Sequence, residues 1–337
     1  MGKINIFDIV KPYNNDMVGS MSKVDRDYYL KYLNQYILEL RDCLNLSNIT
    51  TFGVEVETEH VDIDIYEDYR YDKSFDKWIF EYDCTLERGR EVDSPIFKDN
   101  CYTWEHLSTI LEKLSKCSGI YKNSGGHIHI GAQVIGTNEK YYSNLLKLWA
   151  AYENIIFRFG YGEFLTERID IDNYARSMLY QVNDIFNFDI DILDYFCIRK
   201  SNSISYQNIK RDKLKEYVKC IEGHTVEVRS PNGTLNPIIW QNNINFFVKL
   251  FLYAKSNKFN DELINERIKR LISKVAISFY ETDYYRKIDL EGAIELADLI
   301  FDNNLDKVYF LRQYIKNYEV GTKPLEKGTK FTKSLNY

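Results

Sequence analysis

Three short segments carry pairs of side chains able to hold a metal ion or a phosphate, each at a spacing of two: Glu55-Val56-Glu57, His127-Ile128-His129 and Glu227-Val228-Arg229. On a β-strand, residues two apart share a face. The two carboxylates of the first segment therefore point together, while Val54 and Val56 take the opposite side. Like charges at that separation repel unless a cation sits between them. Taken alone, the pair also fits the solvated outer face of an antiparallel sheet. The second segment repeats the geometry with two imidazoles, a set suited to a metal ion or an anion. It follows Gly125-Gly126, where a missing side chain lets a phosphate or a second chain approach the backbone. With 5 histidines in the whole chain, two on one strand face are a concentrated signal, though a surface pair is the alternative.

In the third segment, Glu227 reads as a metal ligand and Arg229 as a phosphate fork. The alternative is an ion pair across the strand surface, which contributes little. Together the segments say more, because each alternates cleanly and each sets its polar pair against an apolar phase. Carboxylates with one histidine suit Mg²⁺ or Mn²⁺ better than a structural zinc site. Glu91, in Glu91-Val92-Asp93-Ser94-Pro95, adds a carboxylate from a neighbouring strand or loop, and Asp83-Cys84-Thr85-Leu86 lies just before it.

Elements must exist to position these groups. Alternation over Thr51 to Ile65 predicts a strand or hairpin arm, and further strands are expected over Trp78–Leu86, His127–Val134 and Thr225–Ser230. Helical spacing predicts helices over Asp25–Leu44, Trp104–Leu114, Lys140–Phe159, Leu263–Phe279, Leu290–Phe301 and Val308–Tyr318. Another starts at Asn236-Pro237, with proline at the first helical position, and runs to about Lys255. Residues Gly160 to Lys213 read as loops around a site, and Gly321 to Tyr337 as a loose tail. The fold class expected is α+β: a mainly antiparallel sheet with helices on one face and a helical C-terminal part. The expected division is an N-terminal helical extension (1–48), a catalytic core (49–257), a C-terminal helical region (258–318) and a tail (319–337).

The 337 residues, 45% hydrophobic and 28% charged, suffice for a packed core and argue against bulk disorder. A net charge of −6 argues against wrapping nucleic acid electrostatically. No apolar run reaches bilayer length and no leader is legible, so the expected address is cytoplasmic, without membrane attachment. The 6 cysteines are scattered with no C-x-x-C pair, which fits reduced structural thiols.

The order of motifs resembles the amidoligase family within the glutamine synthetase-like carboxylate–amine ligases. The resemblance rests on Phe52-Gly53-Val54-Glu55-Val56-Glu57, Asp83-Cys84-Thr85-Leu86, Glu91 through Ile96, Gly125 through Ile130, and Thr225 through Leu235. It spans Phe52 to Tyr253, with a weaker match at Arg168 to Tyr174. It departs from the pattern in the long acidic stretch between Val61 and Ile79, and in Cys84 standing before Thr85. The resemblance implies a glutamine synthetase-like sheet and two divalent ions, Mg²⁺ or Mn²⁺. Glu57 and Glu91 would hold one ion; Glu55, His127 and Glu227 would hold the other. His129 and Arg229 would face the phosphates of ATP, with a further cation from Arg199, Lys210 or Arg211, of which Arg211 is the choice carried forward. Asp83, Ser94 and Asn232 would meet substrate, and Arg229 and Glu91 would act at the reacting groups.

The activity implied is ATP-dependent amide formation through an acyl phosphate, joining a small-molecule or peptide carboxylate to an amine. Three alternatives stand beside it: a phosphotransferase on the same fold, a metal-dependent hydrolase without ATP, and a non-catalytic binding module. The acid, the amine, the general base and the oligomeric state are not legible in the residues.

Overall fold

The computed structural model of the chain describes residues 33, 36–164, 168, 170–179, 181, 182, 201–275 and 288–315. Six strands form one sheet: β1 (Phe52–Thr58), β2 (Ile79–Glu81), β3 (Arg90–Asp93), β4 (Gly126–Gly131), β5 (Ile204–Ser205) and β6 (Thr225–Val228). Their order is β2-β3-β1-β4-β6-β5, and every pairing is antiparallel. The chain is thus α+β, as its alternation and helical spacing predict.

Alternation decides which face is which. Val54, Val56, Val92, Ile128, Ile130, Val226 and Val228 are all buried on one side, and they merge with the helices into a single hydrophobic core. The helices are α1 (Ile63–Tyr69), α2 (Cys101–Cys117), α3 (Glu139–Ala151), α4 (Glu153–Gly160), α5 (Ile171–Tyr174), α6 (Pro237–Ala254), α7 (Asp261–Val275), α8 (Leu290–Ile300) and α9 (Asn304–Ile315). In α2 the buried residues Trp104, Leu107, Ile110, Leu111 and Leu114 recur at steps of three and four, the stripe of a helix packed on a sheet. Its start is capped by Asn100, whose side chain accepts from the Thr103 N–H at 3.0 Å. The indole of Trp104 stacks on Phe52 of β1 at 5.3 Å.

Helix α6 is buried almost all round and touches α2, α3, α8 and α9. Asn236 caps it with Pro237 in the first turn, as expected. Its buried amides act as ties. Gln241 bonds the carbonyl of Arg41 at 2.7 Å, and Asn242 bonds that of Tyr309 at 3.0 Å. The same core contains residues from Leu33 to Ile315.

Several element boundaries differ from expectation. The strand read through Ile65 stops at Thr58. Asp62 then caps α1, so Ile63 and Ile65 sit on a helix with their side chains exposed; a local cap outweighs the alternation. The strand expected over Trp78–Leu86 keeps only Ile79–Glu81, and the one begun at His127 ends at Gly131 in a 3-10 turn, Ala132–Val134. The single helix expected over Lys140–Phe159 is two, because Tyr152 leaves the helical region (φ −124°, ψ 19°). Its ring is held beneath the Arg267 guanidinium at 4.3 Å. Of the helix expected over Asp25–Leu44, residues 36–44 have no helical structure and most of the rest lies outside the described residues. So do the ends of the helices expected to reach Phe279 and Tyr318, and the tail. Among the described residues, no helix is long and apolar enough to cross a membrane.

The core face sets one prediction. Ile128 is fully buried at the centre of the sheet, so Ile128→Ala is expected to cost about 2–5 kcal/mol. The check is a lower denaturant midpoint with an unchanged slope in urea unfolding.

Candidate active site

The register converts three sequence pairs into one polar surface. Glu55 faces Asp93 on β3 and His127 on β4, Glu57 faces Glu91, and His129 faces Glu227. Directly opposed residues have Cβ atoms about 5 Å apart. A face that alternation assigned to polar side chains therefore becomes a patch of carboxylates and imidazoles. Glu57, His127, Glu227 and Arg229 are buried there, and Glu55, Glu91 and His129 are half-buried. This is not the solvated outer face that each pair alone would fit.

The contacts are specific. His127 Nδ1 lies 2.7 Å from Glu55 Oε2, and its Nε2 lies 3.3 Å from Glu57 Oε1. His129 Nε2 bonds Glu55 Oε1, while its Nδ1 meets Thr225 Oγ1 at 2.9 Å. Arg229 donates to Glu227 beside it, and its Nε donates to the Tyr174 carbonyl at 3.1 Å. The two residues do pair across the strand face, but out of solvent, where removing either partner is costly. Donor atoms converge within 4.8 Å in overlapping groups: Glu57–Asp83–Glu91, Glu55–His129–Glu227, Glu55–Glu91–His127 and Glu81–Glu91–Asp93.

Charge crowding shapes the ionisation. Burial pushes Glu91 up to about 9, reinforced by the charges of Glu55, Asp93, Glu57 and Asp83. Burial likewise lifts Asp93 to about 7, with Glu55 and Glu81 adding to it. Glu55 is the exception. Burial opposes its charge, yet the bonds from His127 and His129 overcome this and hold it far below the usual carboxylate range. For His129 burial works against the charged ring, and the bond and charge of Glu55 prevail and raise it.

Two cavities open on this surface. The first, about 340 Å³, is lined by Glu57, Glu91, His127 and Arg229 together with Asp83 and Arg168. The second, about 290 Å³, shares Glu55 as a wall and reaches past His129 and Asp93 to Pro95, Ile96 and Ile221. Among the expected substrate residues, Asp83 lies in the first cavity with Glu57 and Glu91, its Oδ1 accepting from the Thr85 N–H and hydroxyl at 2.7 Å each. Ser94 lies in the second cavity instead, and its hydroxyl is engaged with backbone. It accepts from Val54 N–H and donates to the Pro95 carbonyl, both at 2.9 Å. Asn232 is buried and lines neither cavity, its side-chain oxygen accepting from the backbone N–H of Arg168 at 3.3 Å. Arg211 is exposed, pairs with Glu139 at 3.2 Å and lines neither cavity, and neither does Lys210. Arg199 lies outside the described residues.

Among the described residues, the cation that joins Arg229 in lining the first cavity is Arg168. It is buried, donates to the Arg229 carbonyl at 2.8 Å, and stands 3.5 Å from His127 Nε2 and 3.7 Å from Glu57 Oε2. Its Nε is buried without a hydrogen-bond partner among the described residues, and burial lowers its affinity for a proton. Gly125 makes room for it, since a Cβ there would meet Arg168 Nη1 at 1.6 Å. The weak motif match at Arg168–Tyr174 is the signal that could have found it, but Arg168 is not among the cations expected from the sequence. Nothing in a chain segment so rich in Asp, Asn and Tyr singles out one arginine.

A family model described as a putative amidoligase enzyme matches residues 49–251. The chain belongs to this amidoligase family. The match covers the whole sheet and α6 up to Phe251, so every site residue discussed above lies within the shared region. Membership makes the protein an enzyme of the ligase kind. No curated protein matches the chain.

Proposed function

We propose that this amidoligase is an ATP- and divalent-metal-dependent carboxylate–amine ligase. It would form an amide or peptide-like bond through an acyl phosphate. The observation that carries the reading is the meeting of oxygen-rich ligand groups with two buried guanidiniums on one sheet face. The donor set fits Mg²⁺ or Mn²⁺: mostly carboxylate oxygens, with an imidazole in reach. The crowding that lifts Glu91 and Asp93 is what a bound dication relieves. Glu57, Asp83 and Glu91 would hold one ion; Glu55, His127 and Glu227 would hold the second. When bound, such ions supply charge neutralisation for phosphoryl transfer.

The two cavities divide the substrates by chemistry. The second cavity, with its apolar Pro95, Ile96 and Ile221, suits a nucleotide base. His129, at the shared wall, would then meet the phosphates. The first cavity suits an acid, because Arg168 and Arg229 offer guanidiniums that match carboxylate and phosphoryl oxygens. An oxygen of the acid would attack the terminal phosphorus of ATP and release ADP. The amine nitrogen would then attack the acyl carbon, phosphate would leave, and the amine would lose a proton. Arg168 would take the phosphate-contacting role expected of Arg211, because it lines the cavity and Arg211 does not.

The test is calorimetric. ATP is expected to bind in the presence of Mg²⁺ or Mn²⁺ and to give no heat in EDTA. Equal binding in both conditions would sink the metal-dependent reading. Phosphate release that requires an added amine would separate a ligase from a phosphotransferase.

A further inference from the structure

A third glutamate follows the first two at the same spacing, and it does a different job. Glu59 stands one residue past β1, buried, in a bridge with Gly119. Its side chain faces no ion pair among the described residues; it is filled instead by four donors from two separate turns. Oε1 accepts from the backbone N–H of Glu87 at 2.9 Å and from Asn123 Nδ2 at 3.0 Å. Oε2 accepts from the backbone N–H of Asn123 at 3.3 Å and from the Ser124 hydroxyl at 3.2 Å.

Both turns end at the first cavity. The Glu87 turn follows Asp83 and Thr85, which line it. The Asn123–Ser124 turn leads to Gly125, whose backbone N–H donates to Glu57 Oε2 and whose bare Cα leaves space for Arg168. Asn123 itself lines the cavity. A buried carboxylate accepting several N–H bonds is a stiff clamp, and metal ligands need their supports to hold them within about half an ångström.

We propose that Glu59 is a positioning residue for the divalent-metal site, setting Asp83 and Glu57 relative to each other by clamping the two turns that carry or orient them. This rests on reading the cleft as a metal site. Glu59 touches neither substrate nor metal; it acts through the ligands. Substituting such supporting groups typically weakens metal binding about 10–100-fold.

The experiment measures Mn²⁺ binding to the full chain by the loss of free-ion paramagnetic resonance signal, well below the melting temperature. Variants are Glu59→Gln, Ser124→Ala and Glu57→Gln, with melting curves of each metal-free protein. The expected result is a loss of about tenfold or more in Glu59→Gln, a smaller loss in the same direction in Ser124→Ala, and a larger loss in Glu57→Gln. A purely structural Glu59 would lower the melting temperature and leave Mn²⁺ affinity where it was. If Glu57→Gln loses Mn²⁺ but Glu59→Gln and Ser124→Ala bind as the original does, the positioning role is overturned and the metal reading stands. If Glu57→Gln also binds Mn²⁺ unchanged, both fail together. Should Glu59→Gln not fold, the milder Ser124→Ala decides between these outcomes by itself.

Discussion

Glu227→Gln is expected to weaken Mg²⁺–ATP binding by about 100-fold, a loss of ~2.7 kcal/mol, while the metal-free protein remains folded. The substitution keeps the shape of the side chain and removes its charge. Glu227 is buried on β6 opposite His129 and paired with Arg229. Two things would be lost at once: the anionic ligand proposed for the second ion, and the acid that holds the Arg229 guanidinium over the sheet. Removing one member of a buried pair leaves the other uncompensated, so a modest fall in melting temperature should accompany the binding defect. Calorimetric titration of Mg²⁺–ATP into both proteins checks it. A variant that binds as tightly as the original would mean that Glu227 is no ligand.

The second large effect is on pH. Divalent-metal affinity should climb as pH rises from about 6 to 9, by up to about tenfold per unit for each proton displaced. The direction follows from the raised carboxyls. Glu91 is pushed up to about 9 and Asp93 to about 7 in the metal-free protein, so a dication must compete with protons until the pH passes those values. Folding stability carries the opposite sign. Both groups bind protons more tightly folded than unfolded, where 4.5 and 3.8 are the ordinary values. Their contribution is fully present below those values and is lost as pH rises through 7 and then 9. The metal-free protein should therefore lose stability across that window. Saturating Mg²⁺ at 100 times its dissociation constant should return about 2.7 kcal/mol, seen as a melting temperature several degrees higher. Manganese titrations and melting curves at pH 6, 7, 8 and 9 test both halves. A flat metal affinity would show that no buried carboxyl changes its protonation on binding.

Much of the site was legible because a strand imposes a strict period of two. That period alone sends Glu55, Glu57, His127, His129, Glu227 and Arg229 to one face and the valines and isoleucines between them to the other. The same logic carried too far in one place. Val61, Ile63 and Ile65 continue the alternation on paper, but Asp62 offers a helix cap and the chain turns into α1. Long helices such as α2 and α6 were legible from their apolar spacing and caps. The break at Tyr152 was not, because no proline or glycine marks it and the ring's partner, Arg267, is more than a hundred residues away.

What the sequence by itself determined is the chemistry of the sheet face and the family: the residue types, their spacing and the order of the motifs are local properties of the chain. Tertiary structure alone decided which groups meet. Register set Glu57 against Glu91 and Glu55 against His127, and a one-residue slip would have sent each side chain to the other face. Packing placed Arg168 rather than Arg211 in the first cavity and turned Ser94 onto the backbone of β1. It also gave three evenly spaced glutamates unlike surroundings, with Glu55 and Glu57 facing His127 and Glu91 across the sheet and Glu59 locked into two turns. Those assignments depend on contacts between segments tens of residues apart, and no local pattern in the chain encodes them.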